Sequence, residues 1–191
     1  MVVRMCAVVV TYKPNKGELL TLLQALRPQV DGLVIVDNGS GTPEFLYDLA
    51  ANFDGRLILL EENQGIACAQ NLGIALALEQ GFDAVLLSDQ DSIPAPDMAK
   101  KLAETLTHAN APDPFFPVAA DLLPGLTSEA SRPIAAVGPV PVDERGSAES
   151  ALVYSFTTWG PKRRSIPKEG ELLEVPFVLA SGCLIPKEAL L

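Results

Sequence analysis

Apolar residues in this chain fall into two alternating rhythms. Short β-branched runs are followed by longer stretches in which apolar positions recur every three or four residues. Residues 2–3 and 6–10 form a near-continuous apolar run, the pattern of a strand buried on both faces. Thr11-Tyr12-Lys13-Pro14-Asn15 breaks it. Leu19, Leu22, Leu23 and Leu26 then predict a helix that Pro28 stops. Residues 33–36 predict a second strand, closing in Asp37-Asn38-Gly39-Ser40. Phe45, Leu46, Leu49, Ala50 and Phe53 mark a second helix, and 57–60 a third strand. After the loop Glu61-Glu62-Asn63-Gln64-Gly65, the alanine-rich stretch 66–80 predicts a third helix with Gly81 as its stop. Residues 84–87 predict a fourth strand and 97–109 a fourth helix. Strands alternating with helices imply a mostly parallel sheet covered on both faces, an α/β fold.

The rhythm changes after residue 109. Residues 110–133 are rich in proline and small residues and read as a long loop. Residues 134–140 predict a strand on the far side of the sheet, and 150–158 alternate as an antiparallel edge strand would. Residues 160–170 hold Lys162, Arg163, Arg164 and Lys168, the densest basic patch; the plain reading is solvated surface, the alternative contact with a diphosphate, an anionic acceptor or headgroups. A strand is expected over 172–179, ahead of Ala180-Ser181-Gly182-Cys183, and a helix opens over 186–191.

Candidate chemistry concentrates where the strands end. Leu86-Leu87-Ser88-Asp89-Gln90-Asp91 is an apolar run ending in two carboxylates spaced i, i+2. In extended chain such residues point to one side. Two hard oxygen ligands there suit Mg²⁺ or Mn²⁺ with positions left for phosphates; the plainer alternative is a surface turn before Pro94. The other strands end in Thr11-Tyr12, in Asp37-Asn38-Gly39-Ser40 and toward Asn63-Gln64-Gly65. In a parallel sheet these tips share one edge, where open α/β sheets bind ligands.

Composition narrows the classes. The 191 residues suffice for about one domain with a real core. A net charge of −10 argues against broad nucleic-acid binding, although a metal can locally admit a nucleotide. Cys6, Cys68 and Cys183 are scattered, lack metal-ligand spacing, and read as packing residues in a reducing compartment. The N-terminus lacks a signal-peptide pattern, and no apolar run reaches spanning length. A cytoplasmic protein is expected, with peripheral association with the inner face of the membrane left open.

Five segments together carry a resemblance: Val8-Val9-Val10-Thr11-Tyr12, Val34-Ile35-Val36-Asp37-Asn38-Gly39-Ser40, Glu62-Asn63-Gln64-Gly65-Ile66-Ala67, Gln70-Asn71-Leu72-Gly73-Ile74-Ala75 and Leu86-Leu87-Ser88-Asp89-Gln90-Asp91. Their order resembles the nucleotide-sugar glycosyltransferases of the GT-A fold, inverting family 2, and within it the rhamnosyltransferase branch. The resemblance covers roughly residues 5–190. It implies a Rossmann-like, mostly parallel sheet flanked by helices, with a small antiparallel C-terminal portion, and one domain over 1–191. Residues 1–109 would be its nucleotide-binding half and 110–191 the start of an acceptor-side half.

The resemblance also implies roles. Thr11 and Tyr12 would line the nucleobase pocket, and Asp37 would accept a hydrogen bond from the N3–H of uracil or thymine. Asn38, Asn63, Gly65, Asn71, Asp89 and Gln90 would complete the nucleotide-sugar site, with Asp89 and Asp91 holding Mg²⁺ or Mn²⁺. The partners would be a UDP- or dTDP-linked sugar and a saccharide or lipid-linked saccharide acceptor, in cell-surface polysaccharide synthesis. The plainer alternative for Asp37 is to open a tight Asn-Gly turn, and Asn63 and Asn71 could be plain turn and helix-surface residues. The family's catalytic base lies in a motif downstream of the segment resembling Ala180-Ser181-Gly182, so it is expected beyond Leu191, with Glu188 and Asp143 the acids to examine within the chain. A nucleotide-sugar-binding module without activity is the alternative on that account. His108, at a helix end, reads as a dipole partner. An aspartate-nucleophile phosphohydrolase would need a further lysine and acidic pair that the sequence does not show, and a Rossmann dehydrogenase would need Gly-x-Gly-x-x-Gly.

Overall fold

The structure, a computed structural model, describes residues 3–41, 44–109, 134–140, 154–157, 160–163, 165, 167–168, 171–173, 175 and 178–191. The expected loop 110–133, Arg164 and Asp143 lie outside them. The first strand, β1 (Met5–Thr11), leads to α1 (Lys16–Leu26). Asn15 starts that helix by accepting hydrogen bonds from the Gly17 and Glu18 amides at 2.8 and 3.3 Å. Pro28 falls in the 3₁₀ turn Arg27–Gln29 that ends it. Then follow β2 (Gly32–Asp37), α2 (Phe45–Asn52), β3 (Arg56–Leu59), α3 (Ile66–Glu79), β4 (Ala84–Asp89) and α4 (Met98–Ala109, which includes His108).

The strands β3, β2, β1 and β4 stand side by side in that order, all parallel. The chain therefore builds outward on one side of β1 and then crosses to the other, with its switch point between β1 and β4. Alternation sorts the strand residues between two layers. Ala7, Val9, Leu33, Ile35 and Leu86 pack with Leu19, Leu22, Leu23, Leu46, Leu102 and Leu106 from α1, α2 and α4. Cys6, Val8, Val34, Val36, Val85 and Leu87 pack with Ala69 and Ala77 of α3. The alanine-rich composition of α3 now has a physical reason: the helix lies close on the sheet. At Gly73 a Cβ would collide with Val8 Cγ1 and come within 3.1 Å of Val36 Cγ2.

The second part of the chain departs from the sequence pattern at three points. Residues 134–140 make one antiparallel bridge, Val137 with Leu184, and no strand. The expected edge strand contributes β5 (Tyr154–Thr157), which pairs with β6 (Gly160–Arg163) in a separate two-stranded ribbon. The described residues of 172–179 form no strand. Instead β7 (Cys183–Pro186) joins the main sheet antiparallel to β4, and α5 (Lys187–Leu190) follows as the expected helix. A mostly parallel sheet flanked by helices, with a small antiparallel portion at the C-terminal side, is the fold that the chain adopts.

Candidate functional site

The four parallel strands end along one edge, and a cleft of about 380 Å³ opens at the switch point. Val10, Thr11, Tyr12, Asn38, Asn63, Ile66, Asp89, Gln90 and Asp91 line it. Strand pairing explains the grouping. Thr11 stands opposite Asp37 in the β1–β2 ladder, and Val10 opposite Asp89 in the β1–β4 ladder. Residues far apart in sequence thus meet because each is the last polar residue after an apolar strand.

Asp37 is 1% exposed. Its Oδ1 accepts from Thr11 Oγ1 at 2.9 Å and from Ser40 Oγ at 2.6 Å, and its Oδ2 accepts from the Ser40 amide at 2.9 Å. Ser40 Oγ in turn accepts from the Lys13 amide at 2.7 Å. A buried carboxylate with three donors ties the tips of β1 and β2 together. Asn38 does the same between β2 and the loop after β3. Its Nδ2 donates to Asn63 Oδ1 at 3.1 Å, its Oδ1 accepts from the Gln64 amide at 2.9 Å, and Asn63 Oδ1 also accepts from the Gly65 amide at 2.9 Å. These turns meet backbone to backbone at Gly39, whose φ is +80° and whose Cβ position would overlap the Glu62 carbonyl carbon, so only glycine fits.

Asp89 and Asp91 occupy the other wall. Burial, and then the charge of Asp91, raise the Asp89 carboxyl above its ordinary pKa, while a hydrogen bond from Ser181 partly offsets them. Two carboxylates repelling each other in an open cleft are a donor set for a hard divalent cation, with its remaining positions left for phosphate oxygens and water. Among the described residues no group of three or more His, Cys, Asp or Glu gathers.

The sequence-derived candidates divide. Thr11, Tyr12, Asn38, Asn63, Asp89, Gln90 and Asp91 converge on the cleft. Asp37 lies buried beside it, Gly65 caps α3 outside its lining, and Asn71 is exposed on α3 away from it. Two further residues belong to the network and were not among the candidates: Ser40, which joins Lys13 to Asp37, and Ser181, which meets the end of β4. Both sit in segments the sequence singles out, yet their roles depend on which strand tip each one faces. Glu188 is exposed at the start of α5. Because β7 runs antiparallel to β4, Glu188 returns to the edge where β4 begins, and the Lys187 amide donates to Asp83 O at 2.9 Å. A strand's length separates it from Asp89.

Comparison with known proteins places the chain in a family. The chain is 39% identical over 106 residues to a dTDP-rhamnosyl transferase, RfbF, of Shigella flexneri; the match takes in 55% of this chain and 35% of that protein. The chain thus spans about a third of the length of that relative. Among solved structures, it is similar to TarS of S. aureus (residues 1–349) at 22% identity and a TM-score of 0.47, over 56% of this chain and 33% of that one. It is also similar to glucosyl-3-phosphoglycerate synthase of Mycobacterium tuberculosis, in a complex with Mn²⁺ and UDP, at 19% identity and a TM-score of 0.44, over 54% and 39%. The model of the glycosyl transferase family 2 matches residues 6–190, nearly the whole chain, and on that match the protein belongs to this family.

Proposed function

We propose that this chain binds a UDP- or dTDP-linked sugar in the cleft between β1 and β4. It serves an inverting, metal-dependent transfer of that sugar, rhamnose by likeness to the Shigella relative, to a saccharide or lipid-linked saccharide acceptor in polysaccharide synthesis in the cytoplasm. Residues 1–109 form the donor-binding half, and 110–191 open the acceptor-side half. The observation that carries the reading is the meeting of the Asp89–Asp91 pair with Thr11 and Tyr12 across one cleft at the sheet's switch point.

In this reading Thr11 and Tyr12 border the nucleobase, and Asn38 and Asn63 shape the wall beside the sugar-phosphate. Asp37, buried beside the cleft and accepting from Thr11 and Ser40, would turn its Oδ2, which accepts one bond from the Ser40 amide, toward the imide N–H that uracil and thymine have and cytosine lacks. Asp89 and Asp91 would hold Mg²⁺ or Mn²⁺, which supplies positive charge for the departing nucleoside diphosphate. A second reading, a donor-binding unit without transfer activity, is favoured by one fact. Asp89 and Asp91 are the only acids lining the cleft among the described residues, which leaves no further acid there for a general base.

The test is thermal unfolding with dTDP, UDP, CDP and GDP, each with Mn²⁺ or with EDTA. At 100 times its Kd a ligand adds about 2.7 kcal/mol, roughly 5–10 °C for a chain of this size. The expected result is a shift with dTDP or UDP in Mn²⁺ alone. Equal shifts in EDTA would refute the metal bridge, and no shift with any nucleotide would refute donor binding.

Asp37→Ala separates its two roles. Leaving the buried Thr11 hydroxyl and the half-buried Ser40 donors unpaired should cost about 1–3 kcal/mol in chemical denaturation. The same variant should lose discrimination between uridine or thymidine and cytidine nucleotides. A variant that is destabilised but still discriminates would make Asp37 a turn residue only.

A further inference from the structure

We infer that Gln90, the residue between the two carboxylates, is a positioning residue that sets their affinity for a divalent cation by pinning the end of β4 to β1, and is not itself a ligand of the nucleotide. This rests on the donor-site reading above. The backbone ladder between β1 and β4 ends at the pair Val10 and Asp89. Beyond that pair the two strand tips part to form the cleft. Across the gap, one side chain replaces the ladder. Gln90 Oε1 accepts from the Tyr12 amide at 2.8 Å, and Gln90 Nε2 donates to Tyr12 O at 3.3 Å.

The chemistry of the side chain makes this contact selective. A primary amide carries one acceptor and two donors on a single plane, so it can satisfy the N–H and the C=O of one residue together. The backbone N–H and C=O also fix which way the amide faces. A carboxylate would meet Tyr12 O with repulsion, and an apolar side chain would satisfy neither group.

The neighbours of Tyr12 show why the pin matters. Thr11 is held by Asp37, and Lys13 by Ser40, which itself bonds Asp37. Three successive residues at the tip of β1 are therefore anchored by side chains from two other strand ends. Two of the anchors come from the tip of β2. Gln90 is the one from β4, and it carries Asp89 on one side and Asp91 on the other. Asp91 is exposed and lies past the last ladder pair, so its place relative to Asp89 depends on how the turn between them is held. Groups that orient metal ligands without touching the ion typically change metal affinity 10- to 100-fold when removed.

Gln90→Met tests this, because methionine keeps the length and loses both hydrogen bonds. The measurements are Mn²⁺ binding without nucleotide, followed by electron paramagnetic resonance, and hydrogen exchange at the Tyr12 amide. The expected result is an intact melting transition, a Tyr12 amide that exchanges faster while that of Asn38, held by Thr11 O, does not, and Mn²⁺ affinity lower by about tenfold. A direct contact with nucleotide would not move binding of the ion alone. Unchanged Mn²⁺ affinity in Gln90→Met would overturn the inference and leave the donor reading standing. Failure of the unmodified chain to take up Mn²⁺ would overturn the metal site and this inference with it.

Discussion

Asp91→Ala is expected to abolish the Mn²⁺-dependent stabilisation by dTDP or UDP while leaving the unliganded chain folded. Asp91 is exposed at the cleft, and its side chain makes no hydrogen bond among the described residues, so its removal costs little structure. It also removes the repulsion that helps hold the Asp89 carboxyl above its ordinary pKa. What would be lost from the proposed site is one of two anionic oxygen donors, and with it the charge reversal that would let an anionic diphosphate approach an acidic wall. The shift of about 2.7 kcal/mol at 100 times Kd should fall to near zero. The same logic gives a pH dependence. An ion held in the proposed site would need Asp89 deprotonated, and the Asp89 carboxyl titrates above the ordinary range. The nucleotide-plus-Mn²⁺ shift should therefore fade as pH falls into that raised range, before a typical aspartate would be protonated. A shift that survives in Asp91→Ala would show that the cleft binds nucleotides without this pair.

The second large effect is expected at Gly73→Val, and it falls on the fold. Gly73 is buried against Val8 and Val36, and even a methyl group there would collide with Val8 Cγ1. Valine also carries a helix penalty from its branched Cβ. The substitution forces α3 off the sheet, at a cost of about 3 kcal/mol, or a fall in Tm of roughly 6–12 °C. Gly73→Ala should lie between, because alanine recovers about 1 kcal/mol of helix propensity while retaining the collision. If Gly73→Val melts like the unmodified chain, the close approach of α3 is not a feature of the folded protein.

The two halves of the chain were legible to different degrees. Through residue 109 every strand and helix expected from apolar periodicity is present, within a few residues at each end. Each of those elements is long enough, or apolar enough, to be decided locally. The second half fails where pairing decides. The stretch 172–179 reads as a strand, yet its described residues form none, while the short segment Cys183–Pro186 pairs with β4, which offers it an open edge, and Leu184 is buried in the core. Residues 134–140 read as a strand, but only Val137 finds a partner, on the far side of that same Leu184.

The candidate site divides in the same way. Its polar strand tips are visible in sequence, since an apolar run broken by Asp, Asn or Gly is a local signal. The work each tip performs is not. Thr11 and Asp37 are 26 positions apart, and Tyr12 and Gln90 are 78. Nothing local links them.

The alternation of strands and helices, the face each residue presents and the polar character of one sheet edge are thus determined by the sequence itself, because hydrophobic periodicity acts over a few residues. The strand order β3-β2-β1-β4, its switch point, the register that sets Thr11 against Asp37 and the side-chain contact of Gln90 with Tyr12 were decided only by the tertiary structure. They depend on burial and hydrogen bonding between distant segments, and a one-residue slip in register would turn the same tips away from one another.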